Sequence, residues 1–145
     1  MTKLFLSGPL FTLAERDFNA GLAQFLTTQG FEVWLPQERV SRGGAKAIFQ
    51  GLEWADAVVA CMDGPDPDSG TAWEVGYAYR TGKPIVCYRS DFRTGGDAKS
   101  APYNLMLSQA AAARVEVGPR ATPADLYRRL LAQIRKTLRV KAVKR

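Results

Sequence analysis

Residues 57–62, AVVACM, are six consecutive apolar side chains between Asp56 and Asp63. A strand with one face in water alternates apolar and polar residues. A run without alternation has to be covered on both faces, which for strands means a parallel sheet between helical layers. Parallel neighbours cannot be joined by hairpins, so each pair needs a crossover of a dozen or more residues, usually a helix. This one segment therefore predicts that the whole chain alternates strand and helix.

The rest of the sequence fits that demand. KLFLSG (3–8) reads as a first strand ending in a loop, and residues 14–29 as a helix with Phe18, Leu22 and Phe25 on one face and Gly30 as its stop. FEVWLP (31–36) reads as strand two. Residues 43–54 read as a helix weakened by Gly43, Gly44 and Gly51 but carrying Ile48, Leu52 and Trp54. After DAVVACM come a helix over 69–81, strand PIVCY (84–88), a Gly-, Asp- and Lys-rich loop over 91–101, helix YNLMLSQAAAA (103–113) and strand RVEVG (114–118). The last helix, 122–138, opens on Thr122, Pro123 and Asp125, close to a capping box. The expected fold is a flavodoxin-like, doubly wound three-layer α/β sandwich with a five-stranded parallel sheet.

At 145 residues the chain suits a single domain. The net charge of +6 is local: residues 1–134 hold 14 basic and 14 acidic side chains. The excess sits in Arg135, Lys136, Arg139, Lys141, Lys144 and Arg145. Residues 1–134 are thus expected to form the domain and 135–145 a basic, solvated tail, and the balance of charge predicts no nucleic-acid binding. Cys61 and Cys87 lie inside apolar runs, as buried free thiols of a reducing compartment do. MTKLFLSGPLF is too short an apolar stretch for a signal peptide, and nothing approaches the ~18 apolar residues of a membrane span. A cytoplasmic protein without membrane contact is expected.

Histidine is absent. Acid–base chemistry then falls to carboxylates, tyrosines, lysines or the substrate, and no metal or cofactor is expected. Ligands of such sheets bind beyond the carboxyl ends of the strands, here SGPLF, DGPDPDSG and RSDFRTGGD. No G-x-x-x-x-G-K-[ST] loop occurs, no G-x-G-x-x-G follows strand one, and strand one lacks the acidic pair of a phosphoacceptor domain.

What remains is a group of carboxylates: Asp63, Asp66, Asp68 and Glu74. Two readings of Glu74 and two of Asp68 stay open. Glu74 is either a surface glutamate near a helix start, favoured by the dipole, or a partly desolvated nucleophile between Trp73 and Tyr77. Asp68 is either a helix N-cap, competing with Ser69 and Thr71, or an acceptor for a substrate hydroxyl. Gly70 between them lets a ligand approach the backbone, so one carboxylate would hold a sugar while the other attacks it.

LSGPLF, DAVVACMDG…PDSGTAWEVGYAYRTGKPI and APYNLML together resemble the nucleoside 2-deoxyribosyltransferases over roughly residues 4–118. The specific parts are Asp68, Gly70, Glu74 and Gly76, and the Asn104–Met106 element. The resemblance implies transfer of 2-deoxyribose from a 2′-deoxynucleoside to a free nucleobase through a covalent sugar on Glu74, with Asp68 holding a sugar hydroxyl. It places Phe5, Ser7, Gly8, Gly70, Asp91, Asn104 and Met106 at the substrate pocket. It implies a homo-oligomer built from dimers, with Asn104 shared across the interface; as a plain sequence, YNLMLSQAA is equally an amphipathic core helix. The chain departs from the family at Phe5, where many members have a tyrosine bonded to the nucleophile. It departs again at Ala47-Ile48, where many have Asn-Asp near the departing base. Asp63, Asp66 and Asp91 are the candidates to replace that acid. Two alternatives stand beside transfer: hydrolysis of deoxynucleosides or their 5′-monophosphates, which Ser7 and Arg93 would favour, and a nucleotide sensor without catalysis.

Overall fold

A computed structural model describes residues 1–97, 99 and 101–143, apart from the side chains of Arg42 and residues 140–143. Its strands are β1 (Lys3–Ser7), β2 (Glu32–Trp34), β3 (Ala57–Cys61), β4 (Ile85–Arg89) and β5 (Ala113–Glu116). The helices between and after them are α1 (Leu13–Thr28), α2 (Pro36–Trp54), α3 (Ser69–Arg80), α4 (Leu105–Ala110) and α5 (Pro123–Val143). All pairings are parallel, in the order β2-β1-β3-β4-β5. Among the described residues no helix is long and apolar enough to cross a membrane.

Each strand sends alternate side chains to opposite layers. Leu4, Leu6, Val59, Cys61, Val86 and Tyr88 pack with Leu22 and Leu26 of α1 and Leu126, Leu130 and Ile134 of α5. Phe5, Val58, Ala60, Met62, Ile85 and Cys87 pack with Leu52 of α2 and Val75 and Ala78 of α3. Both faces of β3 are buried along its full length, as its unbroken apolar run requires. The two thiols are free and buried on opposite faces, and burial pushes each up to about 12.

Three elements differ from the sequence reading. Helix α2 starts at Pro36, in what reads as the tail of strand two, because proline suits the first helical position. Gly44, at φ 52 and ψ −143, breaks that helix into two pieces, so Gly43–Gly44 mark a kink and not a start. Helix α4 ends at Ala110 although the alanines continue. The Ala112 amide bonds the Ile85 carbonyl at 2.8 Å and draws the chain into β5, so sheet pairing overrides helix propensity. Finally, α5 continues through Val143, placing Arg135, Lys136 and Arg139 on a helix; Lys144 and Arg145 lie outside the described residues.

Gly51 has a packing reason. A Cβ there would stand 2.5 Å from Nε1 of Trp34. That indole is held between the Arg39 guanidinium, 4.6 Å from its ring centre, and Trp54, with centroids 5.5 Å apart. Alanine normally favours a helix over glycine by about 1 kcal/mol, but overpacking against a caged ring costs about 1–3 kcal/mol. Gly51→Ala is therefore expected to lower the unfolding midpoint in a thermal melt; a raised Tm would mean that Trp34 is free to move.

Candidate active site

The strand order reverses direction between β1 and β3, and crevices at such switch points are where doubly wound sheets bind ligands. Ser7 is the last residue of β1, in register with Ala60. Its Oγ donates a hydrogen bond to Oε2 of Glu74 on the second turn of α3. The contact joins residues 67 apart in sequence, and it forms only because α3 lies across the ends of β1 and β3.

Helix α3 is started by Asp68. Its Oδ2 accepts from the Thr71 amide at 3.0 Å and the Thr71 hydroxyl at 3.3 Å, so the capping reading of Asp68 holds. The same carboxylate is close enough to raise the proton affinity of Glu74. The half-buried Glu74 is pushed up to about 7, mainly by burial; the Ser7 hydrogen bond opposes that rise and the charge of Asp68 adds to it. A carboxylate so poised is largely ionised just above neutral pH yet poorly solvated. It can attack an electrophilic carbon or exchange a proton.

The remaining sequence candidates separate into groups. Gly8 lets the β1 loop approach β3, since a Cβ there would lie 3.0 Å from that of Cys61. A Cβ on Gly70 would lie 3.1 Å from the Asp68 carboxylate. Phe5 is 0% exposed and packs in the core on the same strand face as Ser7; β1 is covered on both faces, and Leu4 and Leu6 are buried with it. Asn104 is the N-cap of α4, its Oδ1 accepting from Met106 N at 2.9 Å and Leu107 N at 3.4 Å. Met106 is 78% exposed.

Two other polar residues are engaged elsewhere, and a third faces solvent. Asp91 is gripped by Arg93 through Nε at 2.9 Å and Nη2 at 2.6 Å, which holds its carboxyl well below the usual range. Asp63 accepts from the Ser90 and Asp91 amides at 2.6 and 2.9 Å. Asp66 is exposed. Sequence reading missed Arg89, which is buried at the end of β4. The period-two set Ile85, Cys87, Arg89 gives the layer its side chain enters, but both faces of β4 are buried and nothing local says that the strand end is covered. Helix α3 also differs from a buried apolar helix: Trp73 and Tyr79 are exposed, and Trp73 stacks on Tyr77 with centroids 5.7 Å apart.

The family model of the nucleoside 2-deoxyribosyltransferases matches residues 4–106. No curated protein sequence matches the chain. Among solved structures, a conserved protein of Enterococcus faecalis V583 is 27% identical with a TM-score of 0.71, covering 92% of this chain and 99% of that one. The 2-deoxyribosyltransferase of Bacillus psychrosaccharolyticus is 25% identical, with a TM-score of 0.66 over 87% of this chain and 90% of its own. The CMP N-glycosidase of Clostridium botulinum, at 19% identity and a TM-score of 0.60 over 89% and 98%, shares the fold.

Proposed function

Since the chain belongs to the nucleoside 2-deoxyribosyltransferase family, we propose that it moves 2-deoxyribose between nucleobases through a covalent sugar on Glu74. The observation carrying this reading is the half-buried Glu74 carboxylate at the switch point, bonded to Ser7 and flanked by Asp68.

In the first displacement an Oε of Glu74 bonds to C1′ as the C1′–N bond breaks, and its electron pair leaves with the base. In the second, a nitrogen of an incoming base bonds to C1′ as the C1′–O bond breaks and returns its electron pair to the carboxylate. The departing base takes up one proton and the incoming base gives one up, so the cycle balances. Two inversions restore the starting configuration, and ping-pong kinetics follow. Asp68 keeps an oxygen for a sugar hydroxyl beside its cap bond. Ser7 takes the place of the tyrosine that Phe5 lacks: its hydrogen bond orients the nucleophile and keeps its proton affinity from rising further.

The ionised form of Glu74 attacks, so kcat/KM should climb about tenfold per pH unit below about 7 and level off above it. Ser7→Ala removes the bond that opposes protonation. A charge-assisted bond of ~1.5 kcal/mol corresponds to about one unit, so this limb should move to higher pH by about that much. A limb left in place would assign it to another group.

The decisive assay incubates the protein with thymidine or deoxyinosine plus a different free base and follows new nucleosides by chromatography. Free base without exchange would favour hydrolysis, and binding without turnover a sensor. For the monophosphate form of the hydrolase reading, Ser7 donates to Glu74 and Arg93 is paired with Asp91, and release of base from deoxynucleoside 5′-monophosphates is the measurement that tests it.

The proposed partner is a second copy of the chain. Trp73, Tyr79 and Met106 expose apolar surface on α3 and α4. Asn104 uses Oδ1 as a cap, leaving its Nδ2 to donate to a sugar in the neighbouring site. Mixing Glu74→Ala with Asn104→Ala should then restore about a quarter of wild-type activity, because half the dimers would be mixed and each mixed dimer has one intact site. No recovery after mixing would place Asn104 in its own subunit's site, and an active Asn104→Ala variant would put it outside the site.

A further inference from the structure

Two charged residues that the proposed chemistry leaves unused cross-link the ends of β3 and β4. Arg89, the last residue of β4, is 2% exposed. Its Nη1 donates to the main-chain carbonyls of Met62 and Gly64, the latter at 3.0 Å, and its Nη2 to the carbonyl of Arg93 at 2.8 Å. Asp63 answers from just beyond β3. Its Oδ1 accepts from the Ser90 and Asp91 amides, and its Oδ2 from the Ser90 hydroxyl. Each strand end thus holds the main chain of the other with a charged side chain.

The compensation of the Arg89 charge depends on these loops. Asp91 lies 3.8 Å from Nη2 but is held at 2.6 Å by Arg93, and Nε is buried without a partner among the described residues. A buried cation is costly unless its donors are matched. Here the matching acceptors are carbonyls of two separate loops, so the charge is stable only while both loops keep their present paths. The first of them, which turns at Gly64 with φ 101, runs on to Asp68 and so sets where α3 begins. The register of α3 in turn decides where Glu74 points.

We propose that Arg89 and Asp63 form a reciprocal clamp that positions Asp68 and Glu74, as positioning residues and not as groups that touch the substrate. The kinetic arm of the test rests on the reading of Glu74 given above; the structural arm does not.

The variants are Arg89→Lys, which keeps the charge but cannot fork to three carbonyls, and Asp63→Asn, which keeps the shape of the opposite jaw. Deuterium uptake over residues 63–72 and 90–97 is measured beside base-exchange kinetics. The clamp predicts that either variant raises uptake in both segments. It also predicts a fall in kcat of about 10- to 100-fold with KM within about threefold, the size expected for a reactive group displaced by about 1 Å. Uptake confined to one segment, or kcat unchanged while both loosen, would overturn it. Should Arg89→Lys fail to fold, Asp63→Asn carries the same test. If the wild-type protein neither exchanges nor releases base, the reading of the reaction fails, and the uptake data alone decide the clamp.

Discussion

Glu74→Ala should lower base exchange by at least about 10⁴-fold, the scale seen when a covalent nucleophile is removed. In the two-displacement route Glu74 receives the sugar, while Asp68 is tied through one oxygen to Thr71 at the start of the same helix. Glu74→Asp separates chemistry from geometry. It keeps a carboxylate but draws it back by one methylene, away from Ser7, and should lose about 10² through misplacement. The same experiment has a direct readout: acid-quenched wild-type protein incubated with a deoxynucleoside alone should gain the mass of one deoxyribosyl group on the peptide containing Glu74. Exchange that survives Glu74→Ala, or an adduct on another peptide, would move the nucleophile elsewhere.

The second large effect is on stability, and it runs opposite to activity. Glu74 takes up its proton at about 7 when folded, against 4.5 for an ordinary glutamate, chiefly because of burial. The folded state therefore binds this proton more tightly than the unfolded chain. Below about pH 4.5 both states are protonated and nothing is lost. As pH rises from there to about 7, the unfolded chain ionises first and the folded protein loses stability; above about 7 the full cost is present. At 1.36 kcal/mol per unit this amounts to about 3 kcal/mol. Glu74→Gln imitates the neutral acid, so it should match the wild type near pH 4.5 and exceed it by up to about 3 kcal/mol at pH 8. Urea unfolding of both proteins at the two pH values measures this, and other titrating groups cancel in the difference. Equal stabilities at pH 8 would mean that Glu74 is well solvated, removing the physical basis for its reactivity. Ser7→Ala bears on the same quantity, since the hydroxyl is the group that lowers the proton affinity of Glu74.

Periodicity and punctuation were enough to read the architecture. The unbroken run at 57–62 demanded a parallel sheet, and the five strands fall where apolar runs meet Gly, Pro and Asp. Local capping was equally legible: Thr122 and Asp125 exchange the expected bonds, with the Asp125 amide reaching Thr122 Oγ1 at 3.2 Å. Element ends were less so. The stop of α4 at Ala110 follows from the bond between Ala112 and Ile85, and no local pattern within an alanine run encodes a partner 27 residues away.

The candidate site divides the same way. That Asp68 and Glu74 belong together is written in their spacing on one helix, and their likeness to a family motif is a property of the residues themselves. Folding alone decided that Ser7 reaches Glu74, that Phe5 disappears into the core, and that Asp63 and Arg89 grip each other's loops. Side chains on β1, β3 and β4 meet only through the strand order, and charged groups at strand ends read as surface residues until a neighbouring loop buries them. The amino-acid order determined which groups were present and which faces they occupied. The proton affinity of Glu74 depends on burial and on neighbours from other elements, so only the tertiary structure set it.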